Sequence, residues 1–379
     1  MEKTTVLLAL MGLDIGGAET HAVVLARHLQ EMGYKVVIAS NGGVYEEQIR
    51  LNGIKHYHVN LTSRNPLTAM QSVCRLCRLV KQERIDLIHA HARIPAFLCN
   101  IVSRYYHIPF ITTAHAAFRS NFLLRWLSVW GEYTIAVSND IKEYLTRTFA
   151  VNPDQITVIY NGIDAEVFTP QVDYGPVARE LGLNENCRKI VCVTRLDNQL
   201  ADVVLHLIDA VELLSKQYSP LALVVAGSGN RLREVLKYAR EKNKALGRNV
   251  IHVLGKRTDI AQLVNMATVF VGISRAAMEA MACEKPVVLA GWWSFIGLLE
   301  PDKVPILKEN NFTGRSFSQP VTPRLLADEI ARVFELDEAE LRNQGKWNRG
   351  LILEEYSSKA MAEETAAVYE SILSLGVRQ

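Results

Sequence analysis

The residues best suited to chemistry sit where short apolar runs give way to helical sequence. In "VTRLDNQLADVV", Arg195 ends such a run. A guanidinium there can grip a phosphate through two parallel hydrogen bonds, with an ordinary ion pair as the competing use. In "GISRAAMEAMACEKPVVLAG", Gly272, Ser274 and Arg275 leave a strand, and a helix beginning near Ala276 offers N–H groups that can receive a diphosphate. Glu279 lies about one turn further in, within reach of a hydroxyl beside that phosphate. Its bland alternative is a solvated helix-face charge. In "AGSGNRLRE", Gly227 follows another strand, but Leu232 stands where a dinucleotide fingerprint needs its third glycine, which makes a nicotinamide or flavin site a distant reading.

The first half carries two further groups. "GLDIGGAETH" places Gly16 and Gly17 between a strand and a helix, where the backbone can approach a ligand closely; a plain tight turn fits equally. "IHAHA" and "TTAHA" put His89, His91 and His115 at the ends of consecutive strands, where they can converge. No further ligand stands at metal-binding spacing, and for each histidine a satisfied structural role competes. "FRSNFLLRWLSVW" sets Phe118, Phe122, Trp126 and Trp130 four apart on one helical face, with Arg119 and Arg125 nearby. This is either a face packed on the core or a partner, or a rim touching a membrane and admitting a lipid-linked acceptor. Cys74 and Cys77 form a C-x-x-C inside a helical pattern, which suits plain thiols in a reducing cytoplasm.

These residues need a scaffold, and the length of 379 residues implies two domains. The composition, 49% hydrophobic and 22% charged, is that of a soluble globular protein, and a net charge of +2 gives no case for nucleic acid. "TTVLLALMG" reads as a first buried strand rather than a signal peptide, and no run of about 20 apolar residues appears. Strand-like and helix-like segments alternate almost throughout, which predicts βαβ units and a parallel sheet covered on both faces. The expected division is an N-terminal domain over 1–165, a linker over 166–187, a second domain over 188–355 and a final helix over 356–379. Open α/β sheets bind ligands beyond the carboxyl ends of their strands, so a cleft between two such domains is expected.

With these residues in place, the chain resembles the retaining family-four glycosyltransferases of the GT-B fold along essentially its whole length. "GGAETH" is similar to that family's N-terminal glycine loop, and "VSNDIKEYL" with "ITVIYNGIDAEVFTP" to its signature between Val137 and Pro170. "VTRLD", "VVAGSG" and "EAMACEKPVVLAG" follow in the family's order and spacing. The resemblance implies two doubly wound Rossmann-like α/β domains, with the last helix crossing back to the first. It implies a nucleotide-diphosphate sugar, with UDP first among the bases, held mainly by the C-terminal domain. Arg195 then binds the diphosphate, Glu279 the ribose, and His115 lies near the donor sugar. Gly16 and Gly17 face donor and acceptor, His91 and Gly227 line the substrate site, and Asn161 and Asp164 belong to a hinge motif. Gly255, Lys256 and Arg257 lie near the base. The acceptor is a glycan, a lipid-linked or a small molecule in envelope or polysaccharide biosynthesis. The expected site of action is the cytoplasm or the inner membrane face.

No Asp-x-Asp occurs, so neither a metal nor any cofactor beyond the sugar donor is expected. Three positions depart from the family pattern: Val271 replaces the first glutamate of E-x7-E, Leu200 a diphosphate-binding lysine, and Glu284 a glycine. Arg275, at the start of the phosphate-binding helix, is expected to stand in for the lysine. The alternative reading is a catalytically silent paralogue that serves as a binding or scaffold partner.

Overall fold

A computed structural model of the chain describes residues 3–376 apart from Ile15, Phe118, Arg119, 122–124 and Trp126. Its residues form two compact units, one made of 1–162 with 358–379 and the other of 163–357.

The first unit is built on a seven-stranded sheet with the order β3-β2-β1-β4-β5-β6-β7. Its strands are β1 (Thr5–Ala9), β2 (Lys35–Ser40), β3 (Lys55–His58), β4 (Leu87–Ala90), β5 (Phe110–Ala114), β6 (Tyr133–Ala136) and β7 (Ile156–Val158). All neighbours run parallel. The run "TVLLA" is buried at every position because both faces are covered. Val6 and Leu8 join an apolar cluster with the helix Gly17–Glu31, whereas Leu7 and Ala9 face a second cluster with the helices Pro66–Glu83 and Arg93–Tyr106. The last helix, Ser358–Gly376, belongs to this unit: Met361, Ala362, Ala366, Tyr369 and Ile372 complete the first cluster.

The second unit holds a six-stranded sheet, β10-β9-β8-β11-β12-β13, made of β8 (Arg188–Val193), β9 (Leu221–Ala226), β10 (Ile251–Gly255), β11 (Val269–Gly272), β12 (Val287–Ala290) and β13 (Phe295–Leu298). Only β13 runs antiparallel, against β12. The helices Asn198–Leu214 and Pro323–Phe334 cover one face, closing a core that includes Ile190, Val204, Leu223, Val271 and Ile330.

The segment 166–187, expected as a linker, is part of the second unit. It contains the helix Gly175–Glu180, and Asn265 Nδ2 donates to the Thr169 carbonyl at 3.0 Å. Arg349 Nη1 donates to the Phe168 carbonyl at 3.1 Å. Two prolines and a polar composition marked a break in strand–helix alternation there, but side chains from distant helices supply the hydrogen bonds that fix it.

Among the described residues, no helix is long and apolar enough to cross a membrane.

Candidate functional site

Both sheets reverse their winding direction once. In the first, the chain winds from β1 outward to β3 and then starts again on the other side of β1 with β4. In the second, β8 leads outward to β10, and β11 starts the other half. Loops leaving adjacent strands at such a reversal diverge to opposite faces of the sheet and leave a crevice at the strand ends. Arg195 lies in the loop after β8, and Ser274, Arg275 and Glu279 follow β11. Gly16 and Gly17 follow β1, and His91 follows β4.

In the second unit, backbone clamps hold the Arg195 loop. Thr194 N–H donates to the Ala226 carbonyl and Leu196 N–H to the Ser228 carbonyl, each at 3.0 Å. Gly227 has a φ of 153°, and a Cβ there would strike the Thr194 carbonyl; one on Gly229 would strike the Leu196 backbone. The glycines of "VVAGSG" are therefore needed for packing against the residues on either side of Arg195. The Arg195 side chain is exposed and has no hydrogen-bond or ion-pair partner among the described residues. Gly227 N–H donates to the Gly255 carbonyl at 2.8 Å, joining the ends of β9 and β10; Lys256 follows immediately.

The helix after β11 runs Ser274–Ala282 and starts two residues earlier than expected. No side chain caps its start, and the N–H of Ala276 lacks an intrahelical acceptor by helix geometry. The Ser274 N–H is taken, since it donates to the Phe312 carbonyl at 2.8 Å. Ser274 itself has a φ of 54°, and Asn198, just past the Arg195 loop, has 44°. Left-handed backbone at non-glycine residues costs energy and gathers at functional sites. These two residues open the helices that follow the two loops flanking the reversal, whereas others such as Arg84, His107 and Ala150 close helices.

Glu279 is not a solvated helix-face charge. It is 8% exposed, and Arg275 Nε donates to its Oε1 at 2.9 Å across one helical turn. Burial raises its pKa above 4.5, against the pull of the adjacent guanidinium. Val271 lies within β11, fully buried beside Val288 in the apolar core. Counting back eight residues from Glu279 thus lands inside a strand, because the turn from Gly272 to Ser274 is so short. Leu200 is partly buried in the first turn of the helix Asn198–Leu214. Arg257 pairs with Glu180 at 2.6 Å and Asp259 at 2.7 Å, so its charge is spent within the unit.

The first unit brings four histidines together. His91 Nδ1 lies 3.2 Å from His115 Nε2, and the His21 ring meets that of His115 edge-on at 4.9 Å. His21 Nδ1 is 3.1 Å from Asn161 Oδ1, which ties the "NG" of the hinge motif to the start of the helix after the glycine loop. His89, by contrast, is a satisfied core histidine: Nδ1 meets the Tyr369 hydroxyl and Nε2 the Thr113 hydroxyl, both at 2.7 Å. Burial, with neighbouring imidazoles adding to it, pushes His89 and His91 well below the usual histidine range, so both are neutral. Gly16 is extended rather than left-handed, and apart from its chain neighbours and its own helix backbone no described atom lies within 4 Å of where a Gly17 Cβ would stand, leaving that backbone accessible. His21 was not among the expected site residues, although it lies one turn into the helix that "GGAETH" opens. Nothing local pointed to Tyr369.

Of the aromatic face, Phe118, Arg119, Phe122 and Trp126 lie outside the described residues. Trp130 packs edge-on against Phe149 at 5.0 Å in a small core cluster, which is the core-packing role for that residue. Cys74 and Cys77 are free thiols on the helix Pro66–Glu83.

Residues 15–167 match the family model Glycosyltransferase Family 4, and residues 187–300 match Glycosyl transferases group 1. The UDP-Gal:alpha-D-GlcNAc-diphosphoundecaprenol alpha-1,3-galactosyltransferase of Escherichia coli is 27% identical over 241 residues. That match covers 58% of this chain and 62% of the enzyme, so the chain spans under two thirds of that relative's length. A glycosyltransferase from Rickettsia africae has a similar structure, with a TM-score of 0.80 at 20% identity over 98% of this chain and 99% of its own. Anabaena Alr3699/HepE, solved with UDP-glucose, has a TM-score of 0.76 at 19% identity over 97% of this chain and 99% of its own. Likenesses this remote in sequence establish the fold.

Proposed function

We propose that this chain, whose residues 15–167 and 187–300 match two glycosyltransferase family models, moves a sugar from a nucleotide-diphosphate donor to an acceptor hydroxyl with retention of configuration. The observation that carries this reading is the exposed guanidinium of Arg195, clamped in the loop beside the reversal of the second sheet. Arg195 and Arg275, with the uncapped helix start, stabilise the diphosphate as the bond from the sugar's anomeric carbon to its β-phosphate oxygen breaks. The acceptor oxygen attacks the same face, and its proton passes to the departing phosphate. Glu279 aims Arg275 through Oε1 and offers Oε2 to a ribose hydroxyl. His115, supported by His91, contacts the donor sugar, and Gly16 and Gly17 lie against donor and acceptor. Gly255 and Lys256 border the base. Transfer uses no metal and no further cofactor.

UDP is the preferred nucleotide in this proposal, since one relative is named for UDP-Gal and a structural neighbour was solved with UDP-glucose. A lipid-linked acceptor is supported by the diphosphoundecaprenol in the first relative's name; peripheral contact at the inner membrane face is part of the same proposal. Thermal-shift and calorimetric titrations with UDP, GDP and ADP test the donor site. UDP is expected to raise the melting temperature, and Arg195→Ala to weaken UDP about tenfold to a hundredfold, the worth of a charge-assisted bond. No shift with any nucleotide overturns the reading.

A further inference from the structure

At the outer edge of the first sheet, two histidines and a carboxylate converge in a cluster that has no part in the proposed transfer. "KHYH" forms β3, and strand alternation places His56 and His58 on one face. Their rings lie 4.6 Å apart. The carboxylate of Glu46, from the short helix Glu46–Leu51, reaches between them: Oε2 is 3.0 Å from His58 Nε2 and 3.7 Å from His56 Nδ1.

We propose that Glu46, His56 and His58 form a binding site for a divalent transition-metal ion of the zinc class. Zinc bonds of about 2.0–2.2 Å in tetrahedral geometry set neighbouring ligand atoms roughly 3.4 Å apart. The two separations to Glu46 straddle that value, and all three ligand atoms lie within 4.8 Å of one another, so side-chain rotations of the exposed His58 and of Glu46 suffice to close the site. The far atom of two ligands is already held, as in built metal sites. His56 Nε2 lies 2.8 Å from Ser40 Oγ; donating its proton there leaves the lone pair on Nδ1, the atom facing Glu46. Glu46 Oε1 accepts the Gly43 N–H at 2.8 Å, which leaves Oε2 for the ion. Two imidazoles with one carboxylate suit zinc, cobalt or nickel, whereas magnesium and calcium require oxygen ligands. Water fills the fourth position.

The ion would brace the turn through Gly42 and Gly43. That turn is bonded to the segment leading into the glycine loop, with Leu13 N–H donating to the Gly42 carbonyl and Tyr45 N–H to the Leu13 carbonyl, each at 2.9 Å. The role is structural and separate from the metal-independent transfer step.

Titration of the full chain with Co2+, read by its visible d–d absorption and competed with Zn2+, tests the site. Wild type is expected to bind, and Glu46→Gln and His58→Ala each to bind that equivalent roughly a hundredfold more weakly or worse, since even outer-shell partners are worth 10–100-fold. Glu46→Gln keeps an oxygen for the Gly43 bond, so its fold is expected to survive. Zn2+ should raise the melting temperature of wild type and not of Glu46→Gln. His91→Ala, in the other histidine cluster, should bind as wild type does. The proposal is overturned by a wild type that takes up no metal, by two variants that bind normally, or by loss of the ion in His91→Ala alone.

Discussion

Arg275 and Glu279 are one charge pair removed from water, and the titration of Glu279 has a definite sign. Burial raises the Glu279 carboxyl, so the folded chain holds a proton that the unfolded chain has released above 4.5. Stability from this group is therefore fully present below that value and is lost as pH rises through the higher folded value. Glu279→Gln keeps an oxygen for the Arg275 bond but does not titrate. The difference in stability between wild type and variant should fall as pH rises from about 4.5 and then level off. Thermal melts across that range read it, and a difference that grows with pH would contradict the burial argument. The spacing of Arg275 and Glu279 was legible in the sequence, since residues four apart share a helix face. That the pair is buried was not, because burial depends on what packs over the helix start, including the carbonyl of Phe312.

The helix Ser274–Ala282 also shows how an element is stopped. Glu284 N–H donates to the Met281 carbonyl and Lys285 N–H to the Ala280 carbonyl, each at 3.0 Å, a Schellman closure. Glu284 occupies the left-handed position with a φ of 57°, where the family resemblance leads one to expect glycine. A side chain there costs roughly 1–2 kcal/mol of backbone strain, partly offset by the greater freedom a glycine has when unfolded. Glu284→Gly should therefore stabilise the chain by up to about 1 kcal/mol in urea unfolding. A destabilised variant would show that the Glu284 side chain makes a compensating contact. The period of such elements was readable from the sequence, and the start of this one to within two residues. The helix Gly175–Glu180 was not foreseen, because its six residues are too few for periodicity to register.

The chain leaves its first unit at Gly162 and returns to it at Ser358, so that unit joins two stretches far apart in sequence. Tyr369 is the clearest mark of this closure: its hydroxyl meets His89 across 280 positions of sequence, with both groups buried. Tyr369→Phe leaves His89 Nδ1 without that partner and should cost about 1–3 kcal/mol in the unfolding of the first unit. An unchanged midpoint would mean that the bond contributes nothing net. Much of this protein was determined by sequence alone: two α/β units, the strand–helix order, Arg195 and Glu279 beyond strand ends, and a final amphipathic helix. Each of these depends on residues close together along the chain. The tertiary structure alone decided that His21 and Asn161 join His91 and His115, that residues 166–187 fold into the second unit, and that His58 meets Glu46. Strand order and the return of the chain set those meetings, and neither leaves a periodic trace in the residues that meet.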